Sequence, residues 1–240
     1  MELNTYPLVC TRGVVLYPNQ EIVIDVGRDT SVHAVENAQD NYDKKICLFS
    51  QKELEKENPG KEDIYPVGTL CEVRHIRRFD NFLRVKFRGI KRVKLNNWIN
   101  GSLSDLAEVE ILESEKQDAV EEEALIRMIA DELDRMQGQD RFVTKEIVME
   151  ISKGMGGEFL SDKAVQGLPL DIERKQQYLE TLGVNDRLMM LLQDMAKEKK
   201  MSEVEQQINE TVKERIDQGQ KDYYLREKMN VIREELGDTV

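Results

Sequence analysis

The chain has 240 residues, of which 40% are hydrophobic and 34% charged, and its formal net charge is −12. This length can bury a real core in one or two domains, and the composition is typical of a soluble globular protein with much exposed helix. No apolar run reaches about 18 residues, and the N-terminus has no basic segment followed by an apolar one. We therefore expect neither a membrane span nor a signal peptide.

The charge is unevenly distributed along the chain. Residues 1–112 contain 16 Lys and Arg against 17 Asp and Glu, whereas residues 113–240 contain 19 against 30. A nearly neutral first part and a strongly acidic second part predict two differently built regions. The cysteines Cys10, Cys47 and Cys71 are odd in number and widely spaced. They indicate reduced, structural thiols in a cytoplasmic protein.

Short strands dominate the first 112 residues. Apolar runs separated by Gly and Pro predict strands at residues 8–10, 14–16, 22–24 and 46–49, with one helix at about 30–39. A hairpin is predicted next, with arms at about 67–79 and 82–88 around Asp80-Asn81, and a further strand at about 107–111. In the return arm, apolar residues at 83, 85 and 87 alternate with basic ones, as in a half-buried strand. We predict a small, closed or nearly closed β domain at residues 1–112.

Helical spacing replaces strand alternation after residue 112. Apolar residues predict one helix up to about residue 136 and a second at about 143–151, with shorter helices at about 158–166 and 171–182. These elements form a predicted bundle at residues 116–183. The predicted fold class is α+β.

The last segment, residues 184–240, predicts one long helix. Residues 185–235 contain no proline and a single glycine, Gly219, which we expect to mark a bend or a fraying point. A helix of about 50 residues is roughly 75 Å long. A domain of this size cannot bury it along its whole length, so we expect its apolar stripe to meet a partner.

No catalytic or metal-binding motif is recognisable. The sequence has no phosphate-binding P-loop and no nucleophile elbow, and Gly154-Met155-Gly156-Gly157 is interpreted as a helix–helix loop. The two histidines, His33 and His75, lack the spacing of zinc ligands. We therefore expect no catalytic residue, cofactor or metal in this chain.

A basic stretch could bind nucleic acid. Nine Lys or Arg residues and three phenylalanines fall between residues 74 and 94, with one acidic residue. Such a patch can neutralise phosphates and stack bases, and its candidate residues are Arg74, Arg77, Arg78, Arg84, Lys86 and Arg88. The alternative interpretation is a wet strand face that protects a sheet edge.

Three stretches together resemble the N-terminal region of the bacterial Lon proteases. They are residues 6–18 (YPLVCTRGVVLYP) with 26–35, residues 67–70 with 87–92, and residues 220–229 (QKDYYLREKM) with 235–238. The last stretch is the most discriminating, because it is similar to the helix that leads into the ATPase module of that family. Two departures are Cys10, where the family commonly has proline, and Asp80-Asn81, where it commonly has Asp-Gly.

The resemblance implies a β-rich, barrel-like domain, a helical bundle and a long helix. It also implies a parent protein that is a hexameric, ATP-dependent serine endopeptidase acting on misfolded and regulatory proteins. ATP and Mg would serve modules beyond Val240, so no catalytic residue is carried over. Substrate recognition and oligomer organisation would remain for this chain. The competing hypothesis is a stand-alone adaptor whose β domain binds a small molecule or one specific partner.

Two sets of residues are candidates for these roles. Expected contacts to unfolded or degron-bearing substrates are Leu16, Tyr17, Pro18, Tyr65, Pro66, Met189, Met190 and Met195. The alternatives are a turn packed on its own domain for residues 16–18, and a bundle core or coiled-coil seam for the methionines. Expected contacts to neighbouring subunits or to the motor are Tyr223, Tyr224, Leu225, Met229, Ile232 and Leu236.

Overall fold

The computed structural model describes residues 4–136, 149–151 and 153–236. The chain divides into two compact units, Met1–Gln193 and Asp194–Val240. The predicted domain limits at residues 112 and 183 stay predictions, since the division between the compact units falls inside the last helix. The helix predicted at about 143–151 lies largely outside the described residues.

Six strands of the first unit form one mixed sheet. They are β1 (Asn4–Thr11), β2 (Glu21–Val26), β3 (Lys45–Ser50), β4 (Val67–Arg78), β5 (Leu83–Ile99) and β6 (Leu106–Leu112). Their order is β2-β5-β4-β3-β1-β6, and β5 also pairs with β6. The first part of β5 therefore pairs with β2, and its later part, from Arg92 to Ile99, with β6. This second pairing closes a ring of five strands, which confirms the predicted barrel-like domain.

The core of the β domain lies on both faces of β1 and β3. Val9 and Leu48 belong to one buried cluster, whereas their neighbours Leu8 and Cys47 belong to another. Successive side chains of a strand point to opposite faces, so both faces of these strands are covered. The first helix, α1 (Asp29–Asn41), covers the first cluster with Ala34, Val35 and Ala38. This agrees with the helix predicted at about 30–39.

The strand predicted at residues 14–16 is wrong. Residues 14–17 carry no regular structure, although Val15 and Leu16 are buried. The carbonyl groups of Val14 and Leu16 accept hydrogen bonds from side chains instead of from a neighbouring strand. Ser50 Oγ donates to the Val14 oxygen at 2.6 Å, and Thr69 Oγ1 donates to the Leu16 oxygen at 2.5 Å. Apolar residues can thus be buried in a loop once its backbone is satisfied.

The helices that follow are α2 (Ala119–Met136), α3 (Gly157–Gly167), α4 (Ile172–Glu180) and α5 (Val184–Leu236). Polar side chains cap two of them. Asp118 accepts from the backbone N–H of Val120 and Glu121 at the start of α2, and Asp171 accepts from Arg174 at the start of α4. Helix α5 is unbroken at Gly219, so any bend there stays a prediction. None of the helices in the described residues is long and apolar enough to cross a membrane.

Candidate functional site

The turn at residues 16–18, predicted as a contact surface, lies inside the fold. Leu16, Tyr17 and Pro18 are all buried. The Tyr17 hydroxyl donates a 2.7 Å hydrogen bond to the carbonyl oxygen of Lys175 in α4. Burial raises the pKa of this phenol well above its ordinary value. The expected exposure of this turn is therefore wrong. The structure agrees with the alternative interpretation, in which the turn packs on its own domain.

Tyr65 and Pro66 remain at the surface of the first unit. Tyr65 is half-buried and Pro66 is exposed. Their backbone is fixed, because Tyr65 N–H donates to the Ser50 oxygen at 3.0 Å and Leu95 N–H donates to the Pro66 oxygen at 2.9 Å. Burial, followed by the charges of Glu173 and other acidic residues, raises the pKa of Tyr65. This short loop is rigid enough to present an aromatic ring and a proline ring together.

The methionine group is only partly accessible. Met189 is exposed, Met190 is half-buried and its sulfur accepts from Thr181 Oγ1 at 3.7 Å, and Met195 is buried. Farther along α5, by contrast, the predicted contact residues Tyr223, Tyr224, Leu225, Met229 and Ile232 are all exposed. Leu236 ends helix α5. Of the predicted substrate contacts, Tyr65, Pro66, Met189 and Met190 therefore keep exposed or half-buried surface.

The basic hairpin is largely neutralised by acidic neighbours. Four of its six predicted cations form ion pairs, which are Arg74–Glu72, Arg78–Glu36, Arg84–Asp25 and Lys86–Glu21. At its tip, the rings of Phe79 and Phe82 stack with centroids 4.7 Å apart, and Arg77 and Arg84 lie over them. These ion pairs offset positive charge that phosphate binding would require. Nothing in this geometry favours the nucleic-acid interpretation over a protected sheet face.

A buried ion pair, which the sequence interpretation missed, joins the β domain to the helices. The Arg92 guanidinium donates two hydrogen bonds to Asp162, at 2.5 and 3.0 Å, and a third to the Leu179 oxygen at 3.1 Å. Arg187 Nε lies 3.9 Å from the same carboxyl group. Burial raises the pKa of Asp162 above its ordinary value and lowers the pKa of Arg187 to about 10. Three charged side chains are thus held out of water where β5, α3 and α5 meet.

Strand alternation could not identify Arg92 as buried. Even-numbered residues of β5 face outward as far as Arg88, and Arg92 is even-numbered too. The pairing register of β5 with β4 shifts between Gly89 and Lys91, opposite Cys71 and Leu70. A bulge of this kind reverses the side-chain phase, and it leaves no signature in the residue types.

Two adjoining cavities open beside the end of β1. The larger, of about 300 Å³, is lined by residues 9–12 of β1 and its extension and by residues 24–28 of β2 and its extension, together with Ser31. The smaller, of about 110 Å³, shares Cys10, Arg28 and Ser31 with it and is also lined by Trp98 and Asp105. The lining combines apolar side chains with two arginines, which is typical of a peptide or small-ligand site.

Arg28 stands between these cavities. Its guanidinium donates to the Cys10 oxygen at 2.8 Å, to Gln51 Oε1 at 2.5 Å and to the Glu57 oxygen at 3.2 Å. Burial lowers its pKa, and the nearby charge of Arg12 lowers it further. Within the described part of the chain, neither arginine forms an ion pair with an acidic residue. The larger cavity therefore carries two neighbouring guanidinium groups, and Asp25 is the acidic residue in its lining.

The cysteine at this site should react slowly in the native protein. Burial raises the pKa of the Cys10 thiol to about 12, and burial also raises the pKa of Cys47 and Cys71. The reactive thiolate is therefore scarce at about pH 8 and should increase about tenfold per pH unit. We expect a thiol reagent to label the native chain slowly and all three free cysteines after denaturation. Rapid labelling of the native chain at neutral pH would contradict the burial of Cys10.

Sequence comparison identifies relatives along nearly the whole chain. The family model for the ATP-dependent protease La (LON) substrate-binding domain matches residues 5–197. The chain is 33% identical to the Lon protease of Brevibacillus choshinensis over 233 residues, covering 97% of this chain and 30% of the relative. It is 31% identical to the Lon protease of Escherichia coli K12, with the same coverage of 97% and 30%. The chain thus spans about 30% of the length of these curated relatives.

Solved structures share the fold. The N-terminal domain of the Mycobacterium avium complex Lon protease superposes with a TM-score of 0.65 at 18% identity, covering 80% of this chain and 98% of that one. A Lon N-terminal domain protein from Xanthomonas campestris gives 0.56 at 16% identity, covering 79% and 97%. The family match includes the barrel, the helices after it and the start of α5. The chain therefore belongs to the family of ATP-dependent protease La (LON) substrate-binding domains.

Proposed function

We propose that this chain binds unfolded or degron-bearing proteins on behalf of an ATP-dependent serine protease and catalyses no reaction itself. The observation that carries the proposal is the family match, which spans both the β domain and the helices that Arg92 and Asp162 join to it. The sequence adds that no P-loop occurs in the 240 residues. Together, the family match and the missing P-loop support a role in which the chain binds client proteins and catalyses no reaction.

The surface available for clients has a chemistry suited to unfolded polypeptides. Tyr65 and Pro66 present ring surfaces, Met189 presents a flexible thioether, and the cavity beside β1 presents apolar walls with two arginines. Unfolded proteins share no shape, but they expose apolar side chains and unpaired backbone groups. A receptor made of several small apolar surfaces can bind many such sequences weakly.

The test is binding of a permanently unfolded client. A reduced and carboxymethylated protein, labelled with a fluorophore, should bind the chain with a dissociation constant on the order of micromolar or weaker, because one copy lacks avidity. The folded form of the same protein is the control and should not bind. ATP hydrolysis or client cleavage that persists through purification would contradict the non-catalytic part of the proposal. No binding of the unfolded client would contradict the recognition part.

We infer that the second unit serves oligomer organisation and coupling to the protease motor, whose ATP and Mg belong to the longer protein. Residues 203–233 of α5 are all exposed, and among them are Val204, Ile208, Val212, Ile216, Leu225, Met229 and Ile232. Apolar side chains at spacings of three and four residues suit a helix–helix contact. In the longer protein the assembly would be a homo-hexamer.

Light scattering tests this second role. The chain should associate as its concentration rises, and the pair Ile208→Glu with Ile216→Glu should abolish association by placing charges in the contact. The matched control is Gln207→Glu with Gln218→Glu, which adds the same charge at exposed polar positions. A chain that stays monomeric at high concentration, or a control that dissociates equally, would contradict a contact through this stripe.

A further inference from the structure

Two strand edges of the first unit have no neighbouring strand among the residues that the structure describes. In the described residues β2 pairs only with β5, so the other edge of β2 is open. Strand β6 pairs with β1 at Asn4–Pro7, and beyond Pro7 that side of β1 has no strand beside it either. An open edge presents unpaired N–H and C=O groups and is a template for another chain. The 300 Å³ cavity is lined by both open segments, residues 9–12 and residues 24–28.

The open edge of β2 carries apolar residues between two acidic ones. Glu21 and Asp25 point outward, but each forms an ion pair across to β5, with Lys86 and Arg84. Between them lies Val23, which is 55% exposed. The inward residues Ile22 and Ile24 pack against the core and are only half-buried. The edge therefore presents an exposed apolar side chain, Val23, between two carboxylates that are paired with β5.

Two arginines at the end of this edge indicate which kind of segment would bind there. Arg12 and Arg28 line the cavity, and in the described structure neither pairs with an acidic side chain. Asp25 also lines it, but its carboxylate is held by both Nε and Nη2 of Arg84, at 2.7 and 2.8 Å. Among the described residues, Arg12 makes a single 3.5 Å contact, to the Lys56 oxygen, so most of its donors have no acceptor in that part of the chain. A ligand with a carboxylate would satisfy these donors and relieve the repulsion between the two guanidinium groups.

We propose that a client segment binds here as an added strand. It pairs through its backbone with the open edge of β2, inserts an apolar side chain into the cavity and places an Asp or Glu side chain against Arg12 and Arg28. This proposal rests on the proposed function, and it names the class of segment recognised. The segment is extended, apolar at alternate positions and acidic at one. Backbone pairing explains how many sequences are accepted, and the arginines explain how acidic ones are favoured.

The first arm of the test changes the protein. The probe is a fluorescent seven-residue peptide of alternating Val and Thr with one central Glu, and its partner probe has Gln in place of that Glu. Arg12→Ala should weaken binding of the Glu peptide roughly five- to tenfold and leave the Gln peptide unchanged. Arg12 is exposed, so its replacement should leave the fold intact. Arg77→Ala, which removes an exposed arginine at the hairpin tip, is the matched control and should change neither affinity.

The second arm changes the peptide backbone. Alternate N–H groups of a strand point to the same side, so only one set would face β2. N-methylation of one alternate set should abolish binding, whereas methylation of the other set should leave it within about twofold. Equal loss or equal retention in both versions would overturn strand addition.

The outcomes separate this inference from the proposed function. One outcome is that unfolded client binds equally to the chain and to Arg12→Ala, and that the Glu peptide is not preferred over the Gln peptide. This result would contradict the proposed site and leave the proposed function intact. Absence of all client binding overturns both. If the chain self-associates and Arg12→Ala abolishes that association, the edge is covered by a second copy, and the inference is wrong.

Discussion

Replacing Asp162 with alanine is expected to lower the free energy of unfolding by about 3–5 kcal/mol. The change leaves two buried guanidinium groups without their carboxylate, since Arg92 is 1% exposed and Arg187 is 0% exposed. Equilibrium unfolding in urea, followed by circular dichroism, measures the difference. The size of the effect reflects the cost of stranded charge rather than the net strength of the pair.

The control for this variant is the neighbouring ion pair at the surface. Lys91 binds Glu113 at 2.7 Å, one residue before Arg92, and both side chains are largely exposed. Glu113→Ala should lower stability by less than about 1 kcal/mol, because solvent screens the pair. A second variant, Asp162→Asn, keeps the shape and two polar atoms but removes the charge, so it should still be strongly destabilising. Equal effects of Asp162→Ala and Glu113→Ala would show that the buried cluster is solvated.

Replacing Tyr17 with serine is expected to destabilise the chain by about 3–5 kcal/mol. The ring is fully buried, and the substitution leaves a cavity between the β domain and α4. Tyr17→Phe keeps the ring and removes only the hydrogen bond to Lys175, so its cost should be about 1 kcal/mol. Thermal unfolding of the two variants gives the comparison. A native-like stability for Tyr17→Ser would mean that the turn is not packed as the structure has it.

The Tyr17 comparison also decides how client-binding data should be interpreted. A loss of client binding in Tyr17→Ser would follow from unfolding and would not identify a contact. Pro66→Ser and Met189→Ser alter surface residues instead, so their effects on binding can be separated from stability. The two kinds of variant distinguish a residue that builds the domain from one that touches the substrate.

The sequence predicted those elements whose side chains follow one simple period. The alternation of residues 83–88 predicted a half-buried strand, and Leu83, Val85 and Phe87 are buried in it. The absence of proline after residue 184 predicted the long helix, which the structure extends from Val184 to Leu236. Both signals are local, because propensity and burial act in the same direction within one segment.

The predictions that were wrong, and the features that were not predicted, depend on contacts between distant residues. Burial of Tyr17 requires Lys175, which is far along the chain, and its aromatic, proline-flanked turn has the same composition as an exposed one. Burial of Arg92 requires both a bulge in β5 and the carboxylate of Asp162. The candidate cavity beside β1 was not predicted either, since it forms from three segments that only the folded sheet brings together. Residue types alone do not specify such encounters.

The closed ring of strands has a consequence for the order in which the chain folds. Strand β1 is synthesised about 100 residues before one of its partners, β6, as the pairing of Asn4 with Val109 shows. Until then the apolar side chains on one flank of β1 have no cover. We expect a contact of such long range to form late, so that the domain stays open until β6 is available. A pause in synthesis before residue 106 would prolong this open state and so favour aggregation. The chain would then face the same hazard as the unfolded proteins that we propose it binds.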